Sequence, residues 1–295
     1  MPPLVSIGIP FLNPGPFFKN SIRSVFAQTL QDWELILLND GSTDGSLETA
    51  KSIRSDRVRL INDGRTSGLP NRLNQIAALA KGRYLARMDA DDLMHPSRLE
   101  QQLAFLEKYP AAPIGSDAWI IDDEENIVGQ SRPDNSRGFE PRISAILKWG
   151  GVIHPTLMAA RDWFLRNPYD PGFARAEDRE LFVRVIEESR VHVLDRNLFF
   201  YRHLKKINVQ AYLQGYASER NVLRRYGRRL IGFLATSYLI DRSYIKSAIL
   251  RVSFLLGWHN WVMKKKYSPI SQAEREMAQR DIQIIHKTHV PGWED

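Results

Sequence analysis

The chain of 295 residues contains no cysteine. Without thiols, a disulfide framework, a thiolate zinc site, an iron–sulfur cluster and a cysteine nucleophile are all excluded. No stretch reaches about 18 uninterrupted apolar residues, so the sequence predicts no membrane-spanning helix. The first residues also lack the basic region and long apolar run of a secretory signal peptide. We therefore expect a cytoplasmic protein, and 43% hydrophobic with 25% charged residues is typical of a globular fold.

Positive charge is concentrated in the last third of the chain. The net charge is +7, and residues 205–295 hold 16 Lys and Arg against 7 Asp and Glu. A run of three lysines at 264–266 follows Trp258 and Trp261. Among these charges, apolar residues form a stripe at helical spacing: Ile245, Ile249, Val252, Leu255 and Leu256.

A basic, aromatic-flanked helix suits peripheral contact with an anionic membrane, here the inner face of the cell membrane. For any single helix, the pattern favours an apolar stripe that packs on the rest of the protein while its charges face water. No recognised nucleic-acid-binding motif accompanies the positive charge, so we expect no nucleic-acid partner.

Short apolar runs alternate with helical patterns in the first half of the chain. The runs are typical of strands buried on both faces, and they occupy residues 5–9, 34–38, 58–61 and 84–88. Helical spacing occurs at residues 17–28, at 69–80 and after Pro96. This alternation predicts an α/β domain with a mixed, mainly parallel central sheet.

Beyond about residue 112 the pattern changes. It predicts further short elements: a hairpin at 118–128, a helix at 176–188 and two strands at 191–194 and 198–201. The remainder after His203 is predicted to be helical. We therefore predict an α/β domain at residues 1–204 and a basic, mostly helical C-terminal extension at 205–295.

Acidic segments follow two of the predicted strands. Asn39-Asp40-Gly41-Ser42-Thr43-Asp44 comes directly after the second strand, and Asp89-Ala90-Asp91-Asp92 directly after the fourth. Ligands of open α/β sheets bind at the carboxyl ends of strands, where Asp40 would accept hydrogen bonds from a nucleobase or ribose. A capped turn before the next helix explains the first segment equally well.

The second acidic segment favours a metal site. Three carboxylates among four residues repel one another unless a cation neutralises them. Because Mn²⁺ and Mg²⁺ prefer carboxylate and phosphate oxygens, Asp89 and Asp91 suit one divalent ion shared with a nucleotide diphosphate. Asp92 also fits a simple helix cap.

A third acidic pair, Glu177-Asp178, stands at the start of a predicted helix. The helix dipole favours the ionised carboxylate there, as a general base requires. Ordinary capping of the helix fits this pair as well.

Together these segments resemble family 2 (GT2) glycosyltransferases of the GT-A fold. The matching segments occur in the family's order, at residues 5–13, 28–30, 39–44, 67–69, 73–74, 80–82, 89–92 and 177–178. The resemblance covers about residues 4–204 and does not extend to 205–295. It implies a GT-A catalytic domain that transfers a hexosyl or N-acetylhexosaminyl group with inversion, using Mn²⁺ or Mg²⁺.

The resemblance also implies the substrates. The donor is a nucleotide sugar, UDP-linked above all, and the acceptor is a hydroxyl of a glycan or a lipid-linked glycan. Such enzymes serve the synthesis of surface polysaccharide, capsule or lipopolysaccharide.

On the donor side, the resemblance places Pro10, Phe11 and Asn13 where the first strand opens onto the nucleotide. It assigns to Asp40 the contact with the base. Asn39 stands where the family commonly has a second acid, which is a departure from its pattern.

On the catalytic side, Asp89, Ala90 and Asp91 match the family's DxD motif. The resemblance implies that Asp91 ligates the metal and that Asp89 faces the ribose and the diphosphate. It makes Asp178 the base that removes the acceptor's proton, with Glu177 beside it, near the acceptor.

Two histidines are further candidates. His203 lies near a family segment in which a histidine completes the metal shell or binds the diphosphate, although its spacing from Arg202 differs. His154 lies in a segment that the family uses near the donor and acceptor sugars. A hydrogen-bonding role at a strand end for His203, and a buried structural role for His154, fit equally well.

Two other functions remain open at this point. A sugar-nucleotide pyrophosphorylase would carry a glycine-rich, basic phosphate loop after the first strand, and residues 10–16 offer none. A catalytically inactive scaffold that binds nucleotide sugars is disfavoured, because all four key acids are present: Asp40, Asp89, Asp91 and Asp178.

Overall fold

A computed structural model describes residues 2–131, 152–173, 175–186, 188–189, 191–203, 208–259 and 267–294. Trp261 and the lysines at 264–266 lie outside the described residues. The strands are β1 (Val5–Phe11), β2 (Trp33–Asn39), β3 (Val58–Ile61), β4 (Tyr84–Arg87), β5 (Leu93–Met94), β6 (Ile114–Ile121), β7 (Ile127–Ser131), β8 (Met158–Ala160) and β9 (His192–Arg202).

The α-helices of the described residues alternate with these strands at first and then follow them. They are α1 (Phe18–Phe26), α2 (Ser46–Lys51), α3 (Leu69–Leu79), α4 (Arg98–Lys108), α5 (Arg161–Arg166), α6 (Glu177–Val185), α7 (Val209–Val222), α8 (Arg228–Ile231), α9 (Phe233–Leu255) and α10 (Gln272–His286). None of the described helices is long and apolar enough to cross a bilayer.

The described strands form one mixed sheet in the order β3-β2-β1-β4-β8-β6-β9-β5, with β7 paired to β6. Strands β1 to β4 run parallel where they pair, as do β6 and β9, whereas β5, β7 and β8 pair antiparallel. The predicted α/β fold with a mixed sheet is therefore confirmed. Because β1, β2 and β4 are parallel, their C-terminal ends meet at one edge of the sheet.

Burial explains why the first strands could be predicted from the sequence. Every residue of β1, β2 and β4 is buried, because helices cover both faces of this part of the sheet. The apolar residues of β2 divide between the two sides, with Leu35 and Leu37 in one core cluster and Ile36 and Leu38 in the other, so neither face requires polar alternation. These strands give the sheet edge a fixed framework on which the acidic loops stand.

The two predicted strands at 191–194 and 198–201 are in fact one strand, β9. Its middle residues Asp195 and Arg196 are exposed, and the register against β6 shifts opposite this point. This polar pair interrupts the apolar pattern of the sequence, but its side chains face water while the backbone continues in the sheet.

The last described helix, α10, packs on the sheet. Its residues Ala278, Ile282 and Ile285 are fully buried in a cluster with Trp119 of β6 and Phe200 of β9. The Nε2 atom of His95 lies 3.1 Å from the carboxylate of Asp281. Part of the predicted C-terminal extension thus contributes to the core of the α/β domain, while the domain division at residue 204 stays a prediction.

Candidate active site

The loops after β1 and β2 are joined by side-chain hydrogen bonds. The Oδ1 atom of Asn13 accepts a hydrogen bond from the backbone N–H of Thr43 at 2.7 Å. The carboxylate of Asp44 accepts one from the backbone N–H of Gly15 at 2.7 Å. Asn13 has a φ of 51°, in the left-handed region that asparagine tolerates better than most residues. The two loops therefore form one connected rim at the sheet edge.

Two residues predicted on the nucleotide side have buried side chains. Phe11 is 2% exposed, and its ring packs against that of Phe18 with the centroids 4.7 Å apart. Pro10 lies within β1, opposite Leu38 of β2. Both side chains thus support the rim from the core, and their contact with a nucleotide stays a prediction.

The buried carboxylate of Asp40 has three hydrogen-bond partners. The Nε atom of Arg72 and the backbone N–H of Ser67 each donate to its Oδ1 at 2.7 Å. The backbone N–H of Gly68 donates to Oδ2 at 3.1 Å, which leaves that oxygen capacity for one more donor. Asp40 therefore positions the loop before α3, and its contact with a base stays a prediction.

Asp89 forms a two-point ion pair with Arg87. The Nη2 atom of Arg87 lies 2.8 Å from Oδ1 of Asp89, and Nη1 donates to Oδ2 at 3.1 Å. Arg87 is only 3% exposed, whereas Asp89 remains partly open to solvent. Because the pair is bidentate and largely shielded, it fixes the orientation of the Asp89 carboxylate at the end of β4.

No cationic side chain of the described residues forms a comparable ion pair with the carboxylate of Asp91. Burial and the charge of Asp89 together raise the pKa of Asp91 to about 6. The neighbouring Asp92 is buried, and burial with the charges of Asp91 and Asp89 raises the pKa of its carboxyl well above the ordinary value. The loop therefore holds more negative charge than its described surroundings compensate.

A divalent cation fits this charge excess. Bound cations stabilise the ionised form of neighbouring carboxylates, and oxygen ligands suit Mn²⁺ and Mg²⁺. Among the described residues, no three His, Asp or Glu side chains converge as a full ligand set. A metal here would need further oxygen ligands, and a nucleotide diphosphate supplies such oxygens.

Arg202, at the end of β9, holds the acidic loop at residues 89–92 in place. The sequence did not predict this role for it. Its Nε donates to the backbone carbonyl of Asp91 at 2.6 Å, and its backbone N–H donates to Oδ1 of Asp92 at 2.7 Å. Its Nη2 donates to Oε1 of Glu125 at 2.7 Å, and Nη1 donates to the carbonyl of Asp122 at 2.9 Å. One fully buried guanidinium thus ties the acidic loop to the β6–β7 turn.

His203 follows Arg202 directly. Its backbone N–H donates to the carbonyl of Ile121 at 2.9 Å, and its ring lies edge-on to that of Tyr267, with centroids 5.6 Å apart. The structure therefore explains His203 as a strand-end residue, and its role as a metal ligand stays a prediction.

Glu177 and Asp178 begin α6, as the sequence predicted. Glu177 is 7% exposed, and burial with the charge of Asp178 raises its pKa to about 7. Burial also raises the pKa of Asp178, against the charges of Arg179 and Arg87 and a 2.7 Å hydrogen bond from the N–H of Arg179. The charge of Arg87 favours the ionised form of both carboxyls, and Arg179 adds to this effect at Asp178.

Electrostatic interactions link the acidic loop at Asp89 with the acidic pair Glu177-Asp178. The charge of Arg87 acts on Glu177 and Asp178 as well as on Asp89, and the charge of Asp89 reaches Glu177. The chain separates these acids by about 90 residues, yet they share one buried cation. The structure therefore brings the predicted metal-binding and base segments together at one place.

His154 lies beside this group and is buried. Its Nε2 is 2.9 Å from the hydroxyl oxygen of Tyr169. Burial and the charge of Arg87 hold the pKa of His154 well below its usual value, so the ring is neutral at physiological pH. A structural role is therefore satisfied, and contact with the acceptor stays a prediction.

Sequence comparisons identify relatives of this chain. The model of Glycosyl transferase family 2 matches residues 6–166. EpsE of Bacillus subtilis, whose name assigns it to the glycosyltransferases, is 39% identical over 193 residues, 63% of this chain and 68% of EpsE. WfgD of Escherichia coli, named a UDP-Glc:alpha-D-GlcNAc-diphosphoundecaprenol beta-1,3-glucosyltransferase, is 26% identical over 192 residues, 65% of this chain and 73% of WfgD.

A solved structure shares the fold over nearly the full chain. The mannosyltransferase PcManGT from Pyrobaculum calidifontis, in complex with GDP-Man and Mn²⁺, superposes with a TM-score of 0.61 at 13% identity. The match covers 97% of this chain and 86% of PcManGT. This likeness confirms the predicted GT-A type fold.

Proposed function

This chain belongs to glycosyl transferase family 2, and from that premise we propose that it is a metal-dependent enzyme that transfers a sugar with inversion. The donor is a nucleotide sugar, and the acceptor is a hydroxyl of a glycan or lipid-linked glycan. The observation that carries the proposal is the buried Arg87, which forms an ion pair with Asp89 and acts electrostatically on Glu177 and Asp178.

The donor side of the proposal rests on the rim of the sheet. Asn13 and Asp40 lie in loops at the C-terminal ends of β1 and β2, where open α/β sheets bind nucleotides. The name of WfgD specifies a UDP-linked donor, which supports UDP here. Because PcManGT is in complex with GDP-Man, a GDP-linked donor is the alternative that the experiment must distinguish.

Asp91, with Asp89 two residues before it and His203 next to the loop-binding Arg202, would hold the metal together with the donor's diphosphate. A bound Mn²⁺ or Mg²⁺ supplies Lewis-acid assistance to the leaving diphosphate. Asp89, held by Arg87, faces the donor as a fixed acceptor of hydrogen bonds.

Asp178 is the proposed general base. It accepts the proton of the acceptor hydroxyl, and the acceptor oxygen bonds to the anomeric carbon as the carbon–oxygen bond to the diphosphate breaks. One displacement inverts that carbon, so a single base suffices. Glu177, whose pKa of about 7 keeps it partly protonated near neutrality, donates to or accepts from the acceptor beside it.

The proposed setting is the synthesis of a surface polysaccharide, capsule or lipopolysaccharide at the cytoplasmic face of a cell membrane. The name of WfgD specifies an acceptor on diphosphoundecaprenol, a membrane lipid, which supports this setting. The proposal includes peripheral membrane contact through the C-terminal extension.

A donor screen tests the proposal. Purified protein with Mn²⁺ is incubated with UDP-, GDP- and dTDP-sugars, and release of the nucleoside diphosphate is followed with and without a chelator. We expect slow hydrolysis of one donor, lost on chelation and in Asp91→Asn. Once an acceptor is found, Asp178→Asn should bind the donor normally but transfer about 10²- to 10⁴-fold more slowly.

The matched control is Asp162→Asn, which removes an exposed acid from α5 and should leave turnover unchanged. Retention of the donor's anomeric configuration in the product would overturn the single displacement. A folded protein that binds no nucleotide sugar in the presence of metal would favour the inactive scaffold.

A further inference from the structure

Helix α9 leaves most of its large apolar residues exposed. The residues that it buries are mostly small and polar, Thr236, Ser243, Ser247 and Ser253 with Leu250, while Leu239 and Ile240 are partly buried against the core. Its exposed side carries large apolar residues, each at least half exposed: Leu234, Tyr238, Ile245, Ile249, Val252 and Leu255. A surface helix ordinarily buries its apolar face against the protein core. The outer face of α9, defined by these six residues, is therefore left in contact with water.

Specific hydrogen bonds fix this orientation. The Nη1 atom of Arg220 in α7 donates to the hydroxyl of Ser247 at 3.1 Å and to that of Ser243 at 3.3 Å. The Arg220 guanidinium also stacks over the ring of Tyr244 at 4.3 Å. Turning α9 to bury its outer face would remove these partners from Arg220. The contact with α7 therefore fixes which side of α9 faces outward.

Close packing adds to this constraint. Thr236 approaches Gly227 so closely that a Cβ atom there would lie 2.8 Å from the threonine hydroxyl. A small inner face thus lets α9 lie against the segment between α7 and α8. Most of the large side chains of α9 lie on the outside.

The charges around the outer face are mostly positive. Arg242 and Arg251 are exposed on α9 itself, and Arg228 and Arg229 are exposed in the preceding α8. Asp241 is the acid of α9, against three basic residues in the same helix. A basic rim around an apolar face complements anionic lipid headgroups rather than an acidic or a purely apolar protein surface.

Aromatic side chains border the same face. Phe233, Tyr238 and Trp258 are 64%, 66% and 63% exposed. Tyr and Trp favour the boundary between headgroups and acyl chains because their rings join an apolar body to a polar tip. The 23 residues of α9 extend over about 35 Å, long enough for several turns to lie flat on a membrane.

We propose that the outer face of α9 binds the surface of a membrane that contains anionic lipids. The helix lies in the plane of the interface, with its apolar residues below the headgroups and its arginines at them. This inference names the surface behind the membrane contact in the proposed function, but its observations lie outside the acidic site.

Vesicle flotation with the full chain tests this inference. We expect the protein to float with phosphatidylcholine vesicles containing about 30% phosphatidylglycerol, to bind pure phosphatidylcholine weakly and to dissociate in high salt. The double variant Ile245→Ser/Ile249→Ser should reduce binding at least about tenfold, because both apolar side chains leave the interface. Arg242→Gln/Arg251→Gln should lose the preference for anionic vesicles.

The matched control is Met277→Ser/Ile284→Ser in α10. Those residues are 53% and 52% exposed, close to the 60% and 51% of Ile245 and Ile249, but they lie outside the proposed surface. The control should bind vesicles like the wild type. All these positions are exposed, so each variant should retain its thermal unfolding midpoint.

Two outcomes would overturn the inference. One is equal binding by Ile245→Ser/Ile249→Ser and by the control. The other is a dimer in analytical ultracentrifugation that this variant dissociates, with no vesicle binding by the wild type, which would assign the face to a second copy. Asp91→Asn should float like the wild type, so failure of the catalytic proposal and failure of this one are distinguishable.

Discussion

The guanidinium of Arg87 lies 2.8 Å from the carboxylate of Asp89 and exerts its charge on Glu177 and Asp178 as well. One buried cation therefore compensates acids from two distant segments of the chain. Its position at the end of β4 makes it part of the framework on which both segments depend. This arrangement explains how so many carboxylates are tolerated in a partly buried site.

Replacing Arg87 with methionine should destabilise the protein strongly. The substitution keeps much of the side-chain volume but leaves buried carboxylates without their cation, which costs about 3–5 kcal/mol of unfolding free energy. Urea denaturation at pH 7 measures the loss. Arg83→Met, at an exposed arginine just before β4, should change stability by no more than about 0.5 kcal/mol. Similar losses in the two variants would contradict the role given to Arg87.

Glu177 should make stability fall as the pH rises. Burial and Asp178 raise its pKa from 4.5 to about 7, so the folded state binds a proton that the unfolded state releases. Its contribution is fully present below pH 4.5 and is lost as the pH rises through about 7, by up to about 3 kcal/mol. Glu177→Gln should flatten this part of the profile, measured by denaturation at pH 5 and pH 8.

The exposed Glu188 provides the control for that experiment. Glu188→Gln should retain the slope of the wild type between the two pH values. A slope unchanged in Glu177→Gln would show that the pKa of Glu177 is not raised in the folded protein.

Glu125 should stabilise both the fold and the acidic loop. Burial raises its pKa, but hydrogen bonds from His286, Arg202 and Asn20 outweigh burial and lower it to about 2. Its contribution is therefore present above about pH 4.5 and is lost as the pH falls toward 2. Glu125→Gln should cost about 3 kcal/mol at pH 7 and weaken donor binding, since Arg202 loses its anionic partner.

Glu124→Gln is the matched control, one residue earlier in the same turn and exposed. Calorimetric titration of the donor and urea denaturation should give wild-type values for it. If Glu125→Gln lost stability but bound the donor with unchanged affinity, the ion pair with Arg202 would matter for the fold only. That result would contradict its proposed role in holding the acidic loop for donor binding.

The sequence predicted the parts of this fold that local patterns encode. The apolar run of β2 at residues 35–38 is continuous because both faces are buried, and Glu177 was correctly placed at a helix start. The acidic loops follow β2 and β4, so the parallel order alone brings them to one sheet edge. These features follow from residues that are close to one another in the sequence.

The buried arginines were not predictable in this way. Arg72, Arg87 and Arg202 are 1%, 3% and 4% exposed, although arginine is ordinarily at the surface. Arg72 and Arg202 are stabilised by carboxylates or carbonyls from other segments. Arg87 pairs with Asp89 two residues on and also interacts with the charges of Glu177 and Asp178. Composition does not reveal such partners. For Arg72 a signal existed, since it shares the buried side of α3 with Leu73 and Ile76.

The outer face of α9 was only half predicted. The sequence shows the stripe from Ile245 to Leu256, but for a single helix its pattern favours packing on the protein over contact with a membrane. The structure exposes this stripe because serines, together with Arg220, occupy the inner side. Periodicity identifies two faces of a helix, and only tertiary contacts decide which one turns inward.

The contacts of Arg202 and His286 set an order of events during synthesis. The acidic loop near Asp91 leaves the ribosome more than 100 residues before Arg202, and Glu125 emerges 161 residues before His286. Contacts of such long range form slowly and only when the later segment exists. The first half of the nascent chain therefore carries its cluster of carboxylates without Arg202 and His286. The contacts around these carboxylates are completed only after the last part of the domain has been synthesised.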